Sequence, residues 1–196
     1  WSILPESNNL WENVKYFFMF EKWLSKNRNN ALKYSKSDIC YICDDDLNFI
    51  AWFDEIIKNE YKKSDYNIIT FQAENESWKK HFKLKEGNHN RFSVLKIWSW
   101  WITFKRESLI KNNIYFDESF WLGTKYPVWE ENIFLTDSIK KWLKMYHSDK
   151  PIVIHPDESS WIDYREELII ARIKVFKRLF WFIWWSAWVF YFTILH

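Results

Sequence analysis

The sequence predicts an α/β domain in which a mixed, mainly parallel sheet is flanked by helices. Three observations predict it. Ile39–Cys43 is an unbroken apolar run, short enough for a strand buried on both faces. Residues 52–62 set Phe53, Ile56, Ile57 and Tyr61 at helical spacing, and Asn67–Phe71 reads as the next strand. A strand, helix and strand in succession favour a parallel, right-handed crossover. Finally, 196 residues that are 48% apolar and 28% charged suffice for one domain with a real core and exclude a disordered tail or a fibre.

The remaining elements follow in order. Residues 1–14 are polar and loop-like, and residues 15–20 form a short aromatic strand candidate. Ser25 can cap a helix running to Lys36. Residues 74–93, with Gly87, His81 and His89, read as a surface loop or irregular hairpin. Ile102–Phe104 is a strand leading into a helix at Glu107–Lys111, and a loop from Phe116 ends at Glu130 and Glu131. Ile133–Trp142 is amphipathic, Ile152–Ile154 is a strand, and Tyr164–Arg178 is a helix. After Lys174, Lys177 and Arg178 no charge occurs from Leu179 to Leu195, a length at the lower edge of a membrane span. Residues 179–196 are therefore expected to form an apolar helix, docked on the domain or lying at a membrane interface.

Charge and cysteine content narrow the function. A net charge of +2, from 28 basic and 26 acidic side chains, gives no electrostatic reason for a nucleic-acid partner. Cys40 and Cys43, close together in one strand, cannot make a disulfide framework, which points to a reducing, cytoplasmic setting.

One composition anomaly stands out. Average usage would give about 14 glycines, yet the chain has 2, with 16 tryptophans. Trp23, Trp129, Trp142 and Trp161 sit at turn and cap positions, where positive φ or close backbone approach favours glycine. We read most of the tryptophans as standing for glycine. That would arise if a gene whose UGA codons encode glycine were translated with a table in which UGA means tryptophan. The competing reading is an aromatic-rich carbohydrate- or membrane-binding module without catalysis.

The strongest chemical signal is Asp44-Asp45-Asp46 at the carboxyl end of a buried strand. Adjacent carboxylates repel unless a cation neutralises them; hard oxygen ligands select Mg or Mn, and ligands bind at the carboxyl ends of α/β strands. A calcium loop through Asp44, Asp46, Asn48 and Glu55 lacks its glycine, since Phe49 stands at the turn. Glu130 and Glu131 are either helix-starting carboxylates or a general base facing a cleft. His155, directly after a strand, is either a satisfied polar residue or a ligand. A phosphoryl-transfer enzyme would require a phosphate-cradling loop, and none is found in the sequence.

As an ordered set these segments resemble family 2 glycosyltransferases of the GT-A fold, the bacterial sugar transferases of surface polysaccharide synthesis in particular. Trp23-Leu-Ser-Lys-Asn-Arg-Asn-Asn-Ala-Leu looks like the family's Gly-Leu-Ser-x-x-Arg-Asn-x-Ala. Asp38-Ile-Cys-Tyr-Ile-Cys-Asp-Asp-Asp-Leu looks like its metal-binding Asp-x-Asp strand end. Phe116-Asp-Glu-Ser-Phe-Trp-Leu-Gly, followed by Trp129-Glu-Glu, resembles Phe-Asp-Glu-x-Phe-Gly-Leu-Gly and Gly-Glu-(Asp or Glu). His155-Pro-Asp-Glu-Ser-Ser-Trp resembles a downstream His-Pro-x-x-Ser-Ser/Thr-Gly.

The resemblance implies a nucleotide-diphospho-sugar transferase domain over residues 1–178 that lacks the family's first strand and helix, a fragment expected to be inactive alone. It implies that Asp44 and Asp46 hold a Mg or Mn cation and the sugar-nucleotide diphosphate of a UDP- or GDP-sugar, with Asp45 near the sugar or ribose. Arg28 would lie near the nucleotide, and His155 would be a further metal or phosphate contact. Glu131 would be the base that activates a glycan or lipid-linked acceptor, with Glu130 beside it. The setting implied is cytoplasmic, at the inner face of the plasma membrane, with peripheral membrane contact through 179–195.

Overall fold

The computed structural model describes residues 24–75, 84–120, 124, 129–155, 170–171 and 173–180. The strands among them are β1 (Ile39–Tyr41), β2 (Asn48–Phe49), β3 (Ile68–Asn75), β4 (Gly87–Asn88), β5 (Ile102–Lys105) and β6 (Met145–His155). They form one sheet in the order β1-β5-β3-β6-β2, with β4 added against β6. The helices are α1 (Leu24–Tyr34), α2 (Phe53–Lys62), α3 (Arg106–Lys111), α4 (Glu130–Lys140) and α5, residues 173–180.

The sheet is mixed, as expected, but its parallel character is concentrated in one ladder. β3 and β6 pair in parallel from Ile68↔Met145 to Asn75↔His155, whereas β1, β2, β3 with β5, and β4 pair antiparallel. The predicted β1–α2–β3 crossover exists with β5 between its strands. Both β1 and β3 run antiparallel to β5, so they run parallel to each other without touching.

β3 is buried on both faces from Ile68 to Ala73, so Ile68, Ile69, Phe71 and Ala73 do not alternate with solvent-facing residues, and the two polar side chains of the run, Thr70 and Gln72, are themselves buried. β6 is longer than the predicted Ile152–Ile154 because its first half is polar and Pro151 interrupts it. Register shifts between Phe71 and Gln72 and between Gln72 and Ala73 take up Asp149 and Lys150 and then Ile152, and an irregularity of this kind lets proline sit in a strand. α4 begins at Glu130, a turn earlier than the apolar pattern indicated. Ser25 is not a cap; it lies inside α1 and its hydroxyl donates to the Phe120 carbonyl at 3.0 Å. The expected strand at 15–20, and residues 164–169 and 172 of the expected helix, lie outside the described residues.

The main core gathers Ile68, Ile69, Phe71, Ile102, Phe104, Leu135 and Ile152. Phe116 stacks on Phe134 at 4.4 Å, which brings the loop after α3 onto α4. A smaller cluster docks α5: Val175, Leu179 and Phe180 are buried with Phe120 and Ile133. Arg178 fixes that helix by pairing with Asp137 at 2.7 Å. Of residues 179–196 only Leu179 and Phe180 are described, both buried in this cluster, and the rest lies outside the described residues. Among the described residues no helix is long and apolar enough to cross a membrane.

The tryptophan anomaly has a backbone counterpart. Trp52, Trp129 and Trp142 have φ of 64°, 63° and 62°, in the left-handed region that glycine occupies freely. Trp142 closes α4 as a Schellman motif: its N–H donates to the Ile139 carbonyl at 2.9 Å, and that of Leu143 to Ser138 at 3.1 Å. Asn113 does the same for α3, with Ile110 and Leu109 as acceptors. Glycine is the usual residue at that position, asparagine the usual substitute, and tryptophan neither. Trp98, Trp100 and Trp101 are different: they lie in or beside a 3-10 turn outside the positive-φ region, and the latter two are buried.

A polar network sits under β4. The Thr70 hydroxyl meets His89 Nε2 at 2.7 Å and His147 Nδ1 at 2.9 Å, and His89 Nδ1 meets the Ser93 hydroxyl at 3.0 Å. Burial, then the neighbouring His147, pushes His89 down to about 3.

Two outcomes are expected. Trp142 and Trp52 are 92% and 72% exposed, so Trp142→Gly and Trp52→Gly remove strain and little packing; each should stabilise by about 1 kcal/mol in urea unfolding. Loss of stability in both would refute the glycine reading. For His89, the folded-state pKa lies below the unfolded one, so the unfolded chain binds more protons between about pH 6.5 and 3. Stability should be complete above that window and fall as pH drops through it; His89→Gln should flatten the slope of unfolding midpoint against pH.

Candidate functional site

Three elements converge at one end of the sheet. β1 stops at Tyr41, Ile42 still bonds the Ile102 carbonyl at 3.1 Å, and Asp44, Asp45 and Asp46 follow beyond the sheet edge. The chain then turns into β2, whose pairing Asn48↔Ile154 lays it along the end of β6. That pairing is what carries His155 to the triplet, with its Nε2 4.0 Å from Asp46 Oδ2. The His155 ring stacks on Trp100 at 4.6 Å, and the Trp100 carbonyl accepts the Tyr41 hydroxyl at 2.7 Å.

The glutamate pair arrives from the opposite direction, in the first turn of α4, where the helix dipole favours carboxylates. Both are buried, Glu130 8% and Glu131 7% exposed. Arg28 of α1 joins the two acidic groups. Its Nη1 donates to Glu130 Oε1 at 2.8 Å and its Nη2 to Asp44 Oδ1 at 3.4 Å. The sequence-predicted residues Arg28, Asp44 and Glu130 are thereby brought together, with Glu131 adjoining in the chain, and Asp46 meets His155 on the triplet's other flank. Asp45 is exposed beside them.

Electrostatics follow from burial and a shortage of positive charge. Burial and then Glu130 push the Glu131 carboxyl well above the usual carboxylate range, against the opposing pull of its backbone hydrogen bond and of Arg28. Burial raises Asp44, Arg28 pulls it down, and Asp46 raises it again. Burial and then Asp44 push the Cys43 thiol up to about 12, so it carries no nucleophilic thiolate at neutral pH.

Other residues of the α1 segment hold the loop that leads to the glutamates. Asn29 accepts the Phe116 N–H at 2.8 Å and donates to the Phe116 carbonyl at 3.0 Å and to Glu118 at 2.9 Å. Asn132 donates to the Val94 and Ile97 carbonyls at 2.8 and 3.1 Å, tying α4 to the turn before Trp100. Neither asparagine, nor the Trp100 platform, was singled out by sequence reasoning. Asn29 lay inside the quoted motif, whereas Asn132 and Trp100 gave no local signal.

Among the described residues no group of three or more His, Cys, Asp or Glu side chains is arranged to hold a metal ion. Asp46 and His155 adjoin, while Asp44 turns to Arg28. Such a partial set suits Mg or Mn, which are commonly held by one or two carboxylates with substrate phosphates completing the shell. It does not make an all-protein cage.

Comparison with known proteins places this geometry on a fold. No protein-family description matches the sequence, and no curated protein matches it. Solved structures do match. S. aureus TarS 1–349 in complex with UDP-GlcNAc superposes with a TM-score of 0.58 at 14% identity, over 75% of this chain and 44% of that one. The same fragment in complex with UDP gives 0.55 at 14% identity, over 78% and 45%. The chain therefore has a GT-A-like glycosyltransferase fold and spans less than half the length of these TarS chains.

Arg28 and Glu130 side chains are each only 10% exposed. Removing one partner of such a pair strands the other, so Arg28→Met should destabilise by about 3 kcal/mol, and adding Glu130→Gln should recover much of that loss. The check is a double-mutant cycle in chemical denaturation; additive losses would mean that the two side chains do not depend on each other.

Proposed function

We propose that the chain is the catalytic portion of a family 2 glycosyltransferase of surface polysaccharide synthesis. It transfers a sugar from a UDP- or GDP-sugar to a glycan or lipid-linked acceptor, with a Mg or Mn ion and with inversion, on the cytoplasmic side of the plasma membrane. The observation that carries this reading is the meeting of the acidic triplet and the glutamate pair around Arg28 at the carboxyl end of β1. A GT-A-like fold shared with TarS chains in complex with UDP and UDP-GlcNAc supports a uridine nucleotide over a guanosine one.

In this reading Asp46, His155 and Asp44 hold the cation together with the donor diphosphate, and Asp45 lies against the sugar or ribose. The cation, when bound, stabilises negative charge on the leaving diphosphate. Glu131 takes the proton of the acceptor hydroxyl. Its buried setting raises its proton affinity, which is the direction a base needs when it must accept a proton from an alcohol. Glu130, held by Arg28, keeps a second negative charge beside it, and Arg28 also steadies Asp44 at the nucleotide end. One base and one displacement give inversion. Peripheral membrane contact through 179–195 belongs to the same reading.

Calorimetric titration of the full-length gene product with UDP and GDP, with and without Mn, tests it. UDP should bind only with the metal, and Asp46→Asn should weaken binding at least about ten-fold. Absence of nucleotide binding, or binding indifferent to both metal and Asp46→Asn, overturns the proposal.

A further inference from the structure

α5 is docked by one face only. Val175, Leu179 and Phe180 point into the domain, and Arg178 clamps the helix to Asp137 at 2.7 Å and to Asp117 at 3.9 Å. Its outer face is apolar where a soluble helix would be polar: Ile173 is 50% and Phe176 47% exposed, and Ile170, one turn earlier, is 46% exposed. Exposed Lys174 and Lys177 interleave with them.

The patch continues across a second element. Phe176 packs on Phe180 at 4.6 Å, Phe180 stacks with Phe92 at 6.2 Å, and Phe92 is 69% exposed. Phe92 is rigidly presented, since the Asn90 side chain accepts the N–H groups of Phe92 and Ser93 at 2.8 and 3.0 Å. Exposed Arg91 and Lys96 flank it.

Two observations select the occupant. Residues 168–196 hold no acidic side chain, while Arg172, Lys174, Lys177 and Arg178 are basic. The sequence then continues from Leu179 to Leu195 without a charge. A folded protein partner needs polar groups matched one by one, whereas an anionic bilayer takes up an apolar face ringed by lysines with no such matching.

We propose that the outer face of α5, with Phe92, docks on an anionic phospholipid bilayer. This contact stands independently of the nucleotide chemistry. It deepens the proposed function in one respect, and there it rests on that reading: Arg178 ties the docked helix to Asp117, in the segment that precedes Glu130, which favours a lipid-linked acceptor over a free glycan.

The test is vesicle co-sedimentation of the full-length gene product, with phosphatidylcholine alone and with an equal mixture of phosphatidylcholine and phosphatidylglycerol. Partitioning should be stronger to the anionic vesicles and weaken with salt. Lys174→Glu and Lys177→Glu should each lower it by about five-fold or more, and Phe92→Ser with Phe176→Ser by roughly ten-fold. Lys58→Glu on α2 should leave it unchanged. All five side chains are exposed, and circular dichroism confirms that the variants fold. Equal binding to both vesicle types, binding that survives the phenylalanine changes, or a face occupied by self-association in sedimentation velocity overturns the proposal. Vesicle binding without UDP binding leaves this surface standing and overturns the transferase; the converse overturns this surface alone.

Discussion

Everything at the candidate site depends on one guanidinium. Arg28 is the sole cation donating to both Asp44 and Glu130 among the described residues, and its fork geometry lets one planar group hold carboxylates from two directions. Without it the two acidic groups would repel each other. One positive charge cannot serve three carboxylates, however. Glu130 receives the shorter contact and Asp44 the longer one, while burial, and then the neighbouring Glu130, raise the proton affinity of Glu131. A diphosphate approaching the triplet would meet net negative charge. In the proposed reaction this is why a divalent cation must stand between protein and donor.

Arg28 works because α1 is built inside out. Ser25, Arg28, Asn29 and Leu32 recur at the spacing that puts residues on one helix face. Three of the four are polar, and that face is turned inward: Ser25 to the Phe120 carbonyl, Asn29 to both backbone groups of Phe116, Arg28 to the carboxylates. The segment thus reads as a clamp on the loop that delivers the glutamates. Its residue types were visible in the sequence, but apolar periodicity could not reveal which way the helix faces, because here the buried stripe is polar.

The same limit accounts for what was and was not legible elsewhere. α2 and β3 were readable because Phe53, Ile56, Ile57 and Tyr61 obey a helical period and Ile68 to Phe71 form a doubly buried run. Half of β6 was not, because Pro151 and the polar residues before it are tolerated only through a bulge defined by pairing with β3. The acidic triplet and the glutamates were individually visible as carboxylate clusters. Their joining through Arg28, the approach of His155 through the β2–β6 pairing and the stacking on Trp100 are long-range facts that no local pattern encodes.

The tryptophans connect this limit to the chain's chemistry. Left-handed backbone at a non-glycine residue costs roughly 1–3 kcal/mol. Three such positions, taken as additive, amount to about 3–9 kcal/mol. A domain of this size is stable by only about 5–15 kcal/mol. Trp129 is the most consequential of them, because its φ of 63° sets the entry of α4 and so the placement of Glu130 and Glu131. With glycine there, the turn is free of strain and the glutamates keep their place. With tryptophan, the same turn persists only by drawing on the stability of the packing around it. The backbone at these turns is the one that glycine occupies freely, and the geometry of the proposed base depends on that backbone.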